Sequence, residues 1–78
     1  MKKRISVIGA GSCGPLTEAV AERLGRLIAE NGFDLVCGGR MGVQRAACRG
    51  AKSAGGLTVG ILPGLDFSQA NEFVDVPV

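Results

Sequence analysis

Apolar residues fall in short runs separated by two longer stretches of helical period. Ile5, Val7 and Ile8 make the first run and Gly9 stops it, which predicts a strand over Arg4–Ile8. Phe33 to Cys37 is a second run, predicting a strand over Asp34–Cys37, and Leu57–Leu62 is a third, closed by Pro63-Gly64. In Phe73–Val78, Val74, Val76 and Val78 alternate with Asp75 and Pro77, the pattern of an edge strand. The near-continuous runs predict strands buried on both faces, as in a parallel sheet. Between the first two runs, Pro15 to Asn31 has helical period: Leu16, Ala19, Val20, Leu24, Leu27 and Ile28 are expected to face inward. Glu18, Glu22, Arg26 and Glu30 line the other side. Pro15 suits a first helical position, and Gly32 a left-handed C-terminal cap. A second helix is predicted over Met41 to Ala54. Its inward positions, Val43, Ala46, Ala47, Gly50, Ala51 and Ala54, are mostly very small, so it is expected to lie close against the sheet.

The order is β-α-β-α-β, then a polar loop, Leu65–Asn71, and a short terminal strand. Strands alternating with helices imply a Rossmann-like α/β fold with a parallel sheet of three to four strands and right-handed crossovers. No internal linker appears, so residues 1–78 read as a single Rossmann-like domain. The sequence stops inside an apolar strand, which leaves a sheet edge open. It therefore reads as half of a larger doubly wound unit, with self-association through the edge near Phe73–Val78 as the expected compensation.

Composition narrows the function classes. A net charge of +2 is too small to argue for a nucleic acid or a membrane surface, and tryptophan and tyrosine, the usual stacking platforms, are absent. No run approaches the roughly 20 apolar residues of a membrane span. Histidine is missing, which removes the commonest general base and metal ligand. Three cysteines with no close pair in sequence argue against a disulfide framework and fit a reducing cytoplasm. The deviation that matters is thirteen glycines, gathered at element ends.

Two of those gatherings lie where a strand feeds a helix: Gly9-Ala10-Gly11-Ser12-Cys13-Gly14 and Gly38-Gly39-Arg40-Met41-Gly42. Such a junction exposes backbone N–H groups at the positive end of a helix, with no side chain to block an oxyanion. The first loop spells G-x-G-x-x-G, but a dinucleotide site also needs an acid at the end of the second strand. Here that strand ends in Cys37-Gly38-Gly39, and Asp34 stands at its start. A phosphate or nucleotide site of another kind and a plain structural turn both remain open. Cys13 precedes a helix, but with no histidine and no CxxC nothing marks it as catalytic. Cys37 reads as strand core and Cys48 as helix packing. Arg40, Arg45, Arg49 and Lys52 read either as an anion-facing patch or as a solvated helix face; Arg40 alone lies inside a glycine loop. Asp66, Asn71, Glu72 and Asp75 have no metal-ligand spacing.

Gly38-Gly39-Arg40-Met41-Gly42-Val43, Gly50-Ala51-Lys52-Ser53-Ala54-Gly55-Gly56 and Gly60-Ile61-Leu62-Pro63-Gly64 with Ala70-Asn71 together resemble the molybdenum cofactor carrier family. That family belongs to a Rossmann-like superfamily with the lonely-guy, lysine-decarboxylase-like phosphoribohydrolases. The resemblance runs along essentially the whole chain, corresponding to the family's N-terminal half. It implies binding of a nucleotide or a phosphorylated nucleotide-like cofactor, the molybdenum cofactor among them. Gly9, Gly11 and Ser12 would form one loop, Gly38, Gly39, Arg40 and Gly42 the other, and Asn71 would face the ligand. Relatives commonly carry Met then Glu after the Gly-Val pair; Gln44 and Arg45 stand here. The P-G-G-x-G-T-x-x-E motif of the hydrolases has no counterpart, so catalytic residues and activity are not assigned to this sequence. The alternative it implies is a fragment of a nucleoside 5′-monophosphate phosphoribohydrolase lacking its catalytic motif.

Overall fold

A computed structural model describes residues 3–9, 11, 14–62 and 70–78. Its elements are β1 (Arg4–Ser6), α1 (Pro15–Glu30), β2 (Asp34–Cys37), α2 (Val43–Ser53), β3 (Thr58–Gly60) and β4 (Val76–Pro77). The strands form one sheet in the order β1-β2-β3-β4, and every neighbouring pair is parallel. The predicted α/β architecture is the observed one. Strands come out shorter than their apolar runs, yet the ladder continues past their ends: Val7 donates to the Val36 carbonyl at 2.8 Å and Ile61 to that of Cys37 at 2.8 Å. The Pro63-Gly64 stop and most of the expected polar loop lie outside the described residues.

Because successive strands step in one direction across the sheet, crossovers of one hand put both helices on one face. Leu35, Cys37 and Val7 pack beneath them with Ile28, Ala47, Cys48 and Ala51. This corrects the expectation of strands buried on both faces. Among the described residues no helix covers the other face, and Ile8 is 92% exposed, with Ile61, Val76 and Val78 also exposed. β4 is an edge strand, as the alternating pattern predicted. Pro77, lacking an N–H, blunts that edge against further strand pairing.

The helices also correct the predicted packing. The buried positions of α1 are Ala21, Gly25 and Ile28. The larger apolar stripe expected inside is largely outside: Leu16, Val20, Leu24 and Leu27 are exposed. The reason is the distance between the two helices. A Cβ on Gly25 would sit 1.9 Å from the Ala47 carbonyl oxygen, and one on Gly50 1.8 Å from that of Glu22. Backbones this close leave room for glycine alone at these two points, and the larger side chains of α1 are turned outward. The small face of α2 is thus spent largely on α1 rather than on the sheet alone. Arg49 clamps the seam, reaching Glu18 at 2.8 Å and Glu22 beside it.

Candidate functional site

A cleft of about 230 Å³ opens at the carboxyl ends of the strands. Ser6 at the end of β1 with Val7 and Ile8 beyond it, Val36 and Cys37 of β2 with Gly38 beyond them, and Ile61 after β3 line it. In open α/β sheets this is the rim where ligands bind. Gly38, which opens the second glycine junction, is among the lining residues, and Gly9 of the first is joined to that junction. Gln44, in the first turn of α2, ties them: its Oε1 accepts from the Arg40 N–H at 3.1 Å and its Nε2 donates to the Gly9 carbonyl at 3.4 Å. Sequence reasoning noticed Gln44 only as a departure from its relatives. The signal available was a polar side chain in the first turn of a helix that begins at a glycine loop.

The second loop is tightly built. Gly39 has φ +76°, and a Cβ there would lie 2.9 Å from the Gly60 Cα, so both conformation and space favour glycine. Gly42 is the N-cap of α2, and Gly14 that of α1; among the described residues neither helix start receives a side-chain cap. Their first-turn amides are thereby left for water or an anion. Gly38 faces the Gln44 amide, and Gly9 packs against the Val43 side chain. Gly11 is exposed, and Ser12, with Ala10 and Cys13, lies outside the described residues.

Asn71 is 7% exposed and engaged inside the protein. Its backbone N–H donates to the Gly39 carbonyl at 2.7 Å, and its side-chain amide donates to the Arg40 carbonyl at 2.7 Å. Its Oδ1 accepts from the Phe73 N–H at 2.9 Å. Asn71 therefore staples the loop from behind.

The four cations separate clearly. Arg45 makes a two-pronged pair with Glu72, at 2.6 and 3.0 Å, and lies over the Phe73 ring. Arg49 holds Glu18 and Glu22, and Lys52 holds Asp75 at 3.0 Å. These pairings raise the guanidinium pKa of Arg45 and Arg49, through the hydrogen bonds they donate to Glu72 and to Glu22 and Glu18. Arg40 is exposed on the loop and has no ion pair among the described residues. Of the four, it is the one whose charge no described carboxylate meets. No group of three or more His, Cys, Asp or Glu able to hold a metal occurs among the described residues.

Beneath the loop, Cys37 and Cys48 approach to 3.4 Å, both buried. The Gly39 N–H donates to the Cys37 sulfur at 3.2 Å. The thiol of Cys48 and that amide stabilise a Cys37 thiolate against burial, holding its pKa at about 7, and Cys48 is pushed upward as the donor.

Residues 2–78 match the SLOG cluster4 family. The chain belongs to that family. Among solved structures, this SLOG cluster4 chain superposes on the molybdenum cofactor binding protein of Rippkaea orientalis with a TM-score of 0.94 and 42% identity, covering 99% of this chain and 48% of that one. It matches the Moco carrier protein of Chlamydomonas reinhardtii with a TM-score of 0.91 and 41% identity, covering 100% of this chain and 49% of that one. An uncharacterised protein of Archaeoglobus fulgidus is 48% identical over 75 residues, which is 96% of this chain and 49% of that protein. The SLOG cluster4 chain thus spans about half the length of the relatives it matches. No described helix is long and apolar enough to cross a membrane.

Proposed function

We propose that this chain binds a phosphorylated, nucleotide-like ligand of the molybdenum-cofactor class across its two glycine loops. The observation that carries the reading is Gln44, which holds both loops together beside the cleft at the strand ends. The uncapped helix starts at Gly14 and Gly42, with Arg40, take the phosphoryl group; Gly9, Gly11 and Ser12 serve it from the first loop, and Gly38 and Gly39 from the second. Ile8, Val36 and Ile61 offer an apolar wall to a flat ring such as a pterin. Asn71 acts on the ligand through the loop it braces. The residues present fit the phosphate and one face of a ring. The cleft is smaller than the roughly 300–1,000 Å³ of ordinary ligand sites, so this chain contributes one wall of the site. That agrees with its covering about half of its relatives' length.

Hydrolysis of a nucleoside monophosphate has less behind it. Glu18, Glu22, Glu72 and Asp75 are held in ion pairs, and among the described residues no carboxylate lines the cleft. The reading also includes a cytoplasmic location, where thiols stay reduced, and no nucleic-acid partner, since the α2 cations Arg45, Arg49 and Lys52 are already paired. Copies associate near Val76–Val78 through exposed apolar side chains, because Pro77 limits added strand pairing. The test is calorimetry with AMP, GMP and a pterin phosphate. Binding is expected, and Arg40→Ala should weaken it by about tenfold or more with unchanged helix content, the loss of one charge-assisted hydrogen bond. No heat from the folded protein at millimolar ligand refutes the proposal. Free base released from AMP would replace it with the hydrolase reading.

A further inference from the structure

The Cys37–Cys48 pair has no part in ligand binding as proposed above. The two sulfurs lie 3.4 Å apart, at the junction of β2, α2 and the glycine loop. A disulfide requires about 2.05 Å, so closure asks for roughly 1.4 Å of sulfur movement. The residues are eleven apart in sequence and come from a strand and a helix already packed together. Cys37 also lines the cleft, so a small solute in the cleft is beside it. Its sulfur accepts from the Gly39 N–H, which links the thiol to the backbone of the loop. Two thiols with no third ligand among the described residues do not make a metal centre.

We propose that Cys37 and Cys48 form an oxidisable dithiol that couples a peroxide-class oxidant to the shape of the glycine loop. The Cys37 thiolate attacks one oxygen of hydrogen peroxide. The O–O bond breaks, a sulfenic acid forms, and hydroxide leaves to take up a proton. The Cys48 sulfur then attacks the Cys37 sulfur. The S–O bond breaks, and the departing hydroxide leaves as water with the Cys48 proton. Two thiols and one peroxide become one disulfide and two waters, a transfer of two electrons. Cys37 swings toward α2 and gives up the Gly39 N–H, while Asn71 still holds the Gly39 carbonyl. The loop must change its hydrogen bonding, and a dithiol reductant restores it.

The experiment uses the folded chain carrying Cys13→Ser, which removes the third thiol. It is treated with hydrogen peroxide, quenched by alkylation in denaturant, and read by intact mass and peptide mapping. Loss of two hydrogens with a Cys37–Cys48 linked peptide is expected. With Cys48→Ser as well, Cys37 should instead be trapped by dimedone as a sulfenic acid. Hydrogen exchange at the Gly39 amide should accelerate in the oxidised protein and return on reduction. Two fully alkylated thiols after peroxide overturn the dithiol, and unchanged Gly39 exchange overturns its coupling to the loop. None of these readouts needs a bound ligand, so they stand apart from the nucleotide reading.

Discussion

Gly50→Ala sets two opposing effects against each other, and magnitudes decide between them. In an isolated helix the change would stabilise by about 1 kcal/mol, the difference in helix propensity. In this protein the new Cβ would lie 1.8 Å from the Glu22 carbonyl oxygen, 2.7 Å from the Glu22 carbonyl carbon and 3.0 Å from the Arg26 nitrogen. All three are backbone atoms, so no rotamer change relieves the contact. Reaching ordinary separation requires α1 and α2 to part by 3.4 − 1.8 = 1.6 Å. Parting them loosens Ala46, Ala47 and Ala51, now almost wholly buried, and pulls Arg49 from Glu18 and Glu22. Overpacking a tight interior costs typically about 1–3 kcal/mol, and a backbone-against-backbone clash belongs at the top of that range. Subtracting the propensity gain leaves a net loss of about 2 kcal/mol. At about 4–8 °C per kcal/mol for a domain of this size, Tm should fall by about 8–16 °C. Thermal unfolding followed by circular dichroism measures it. An unchanged or raised Tm would show that propensity wins and that the helices are not packed backbone to backbone.

Asp75 gives an acid-side prediction. Burial pushes its pKa up, but the Lys52 ammonium and the Thr58 N–H outweigh burial, and the net shift is downward. Its folded pKa therefore lies below the unfolded value of about 3.9, so the unfolded chain binds protons more readily in that window. Its stabilising contribution is whole above that value and is lost as pH falls through the folded pKa. Asp75→Asn should lower the urea midpoint at pH 7 and flatten its decline between neutral and strongly acid pH; an unchanged acid limb refutes the assignment. For self-association, Val76→Lys should convert a dimer to a monomer in light scattering, and Leu24→Lys on the exposed stripe of α1 should not. The reverse outcome moves the contact to α1.

Periodicity and glycine placement were enough to determine the element order, the parallel sheet, the edge character of β4 and the two strand–glycine–helix junctions. These are local properties: a β-branched run, a break and a stripe of apolar residues act within a few neighbours. Which face of α1 is buried was not local. Hydrophobicity pointed to Leu16, Val20 and Leu24, while the fold buried Ala21 and Gly25, because backbone proximity to Ala47 favours small volume over apolar area. The same holds for the pairing of Gln44 with Gly9, of Asn71 with Arg40, and of Cys37 with Cys48. Each joins residues whose separation in sequence carries no sign of contact. Only the packing of two helices on one sheet face brings them together, and with them the rim on which the proposed site stands.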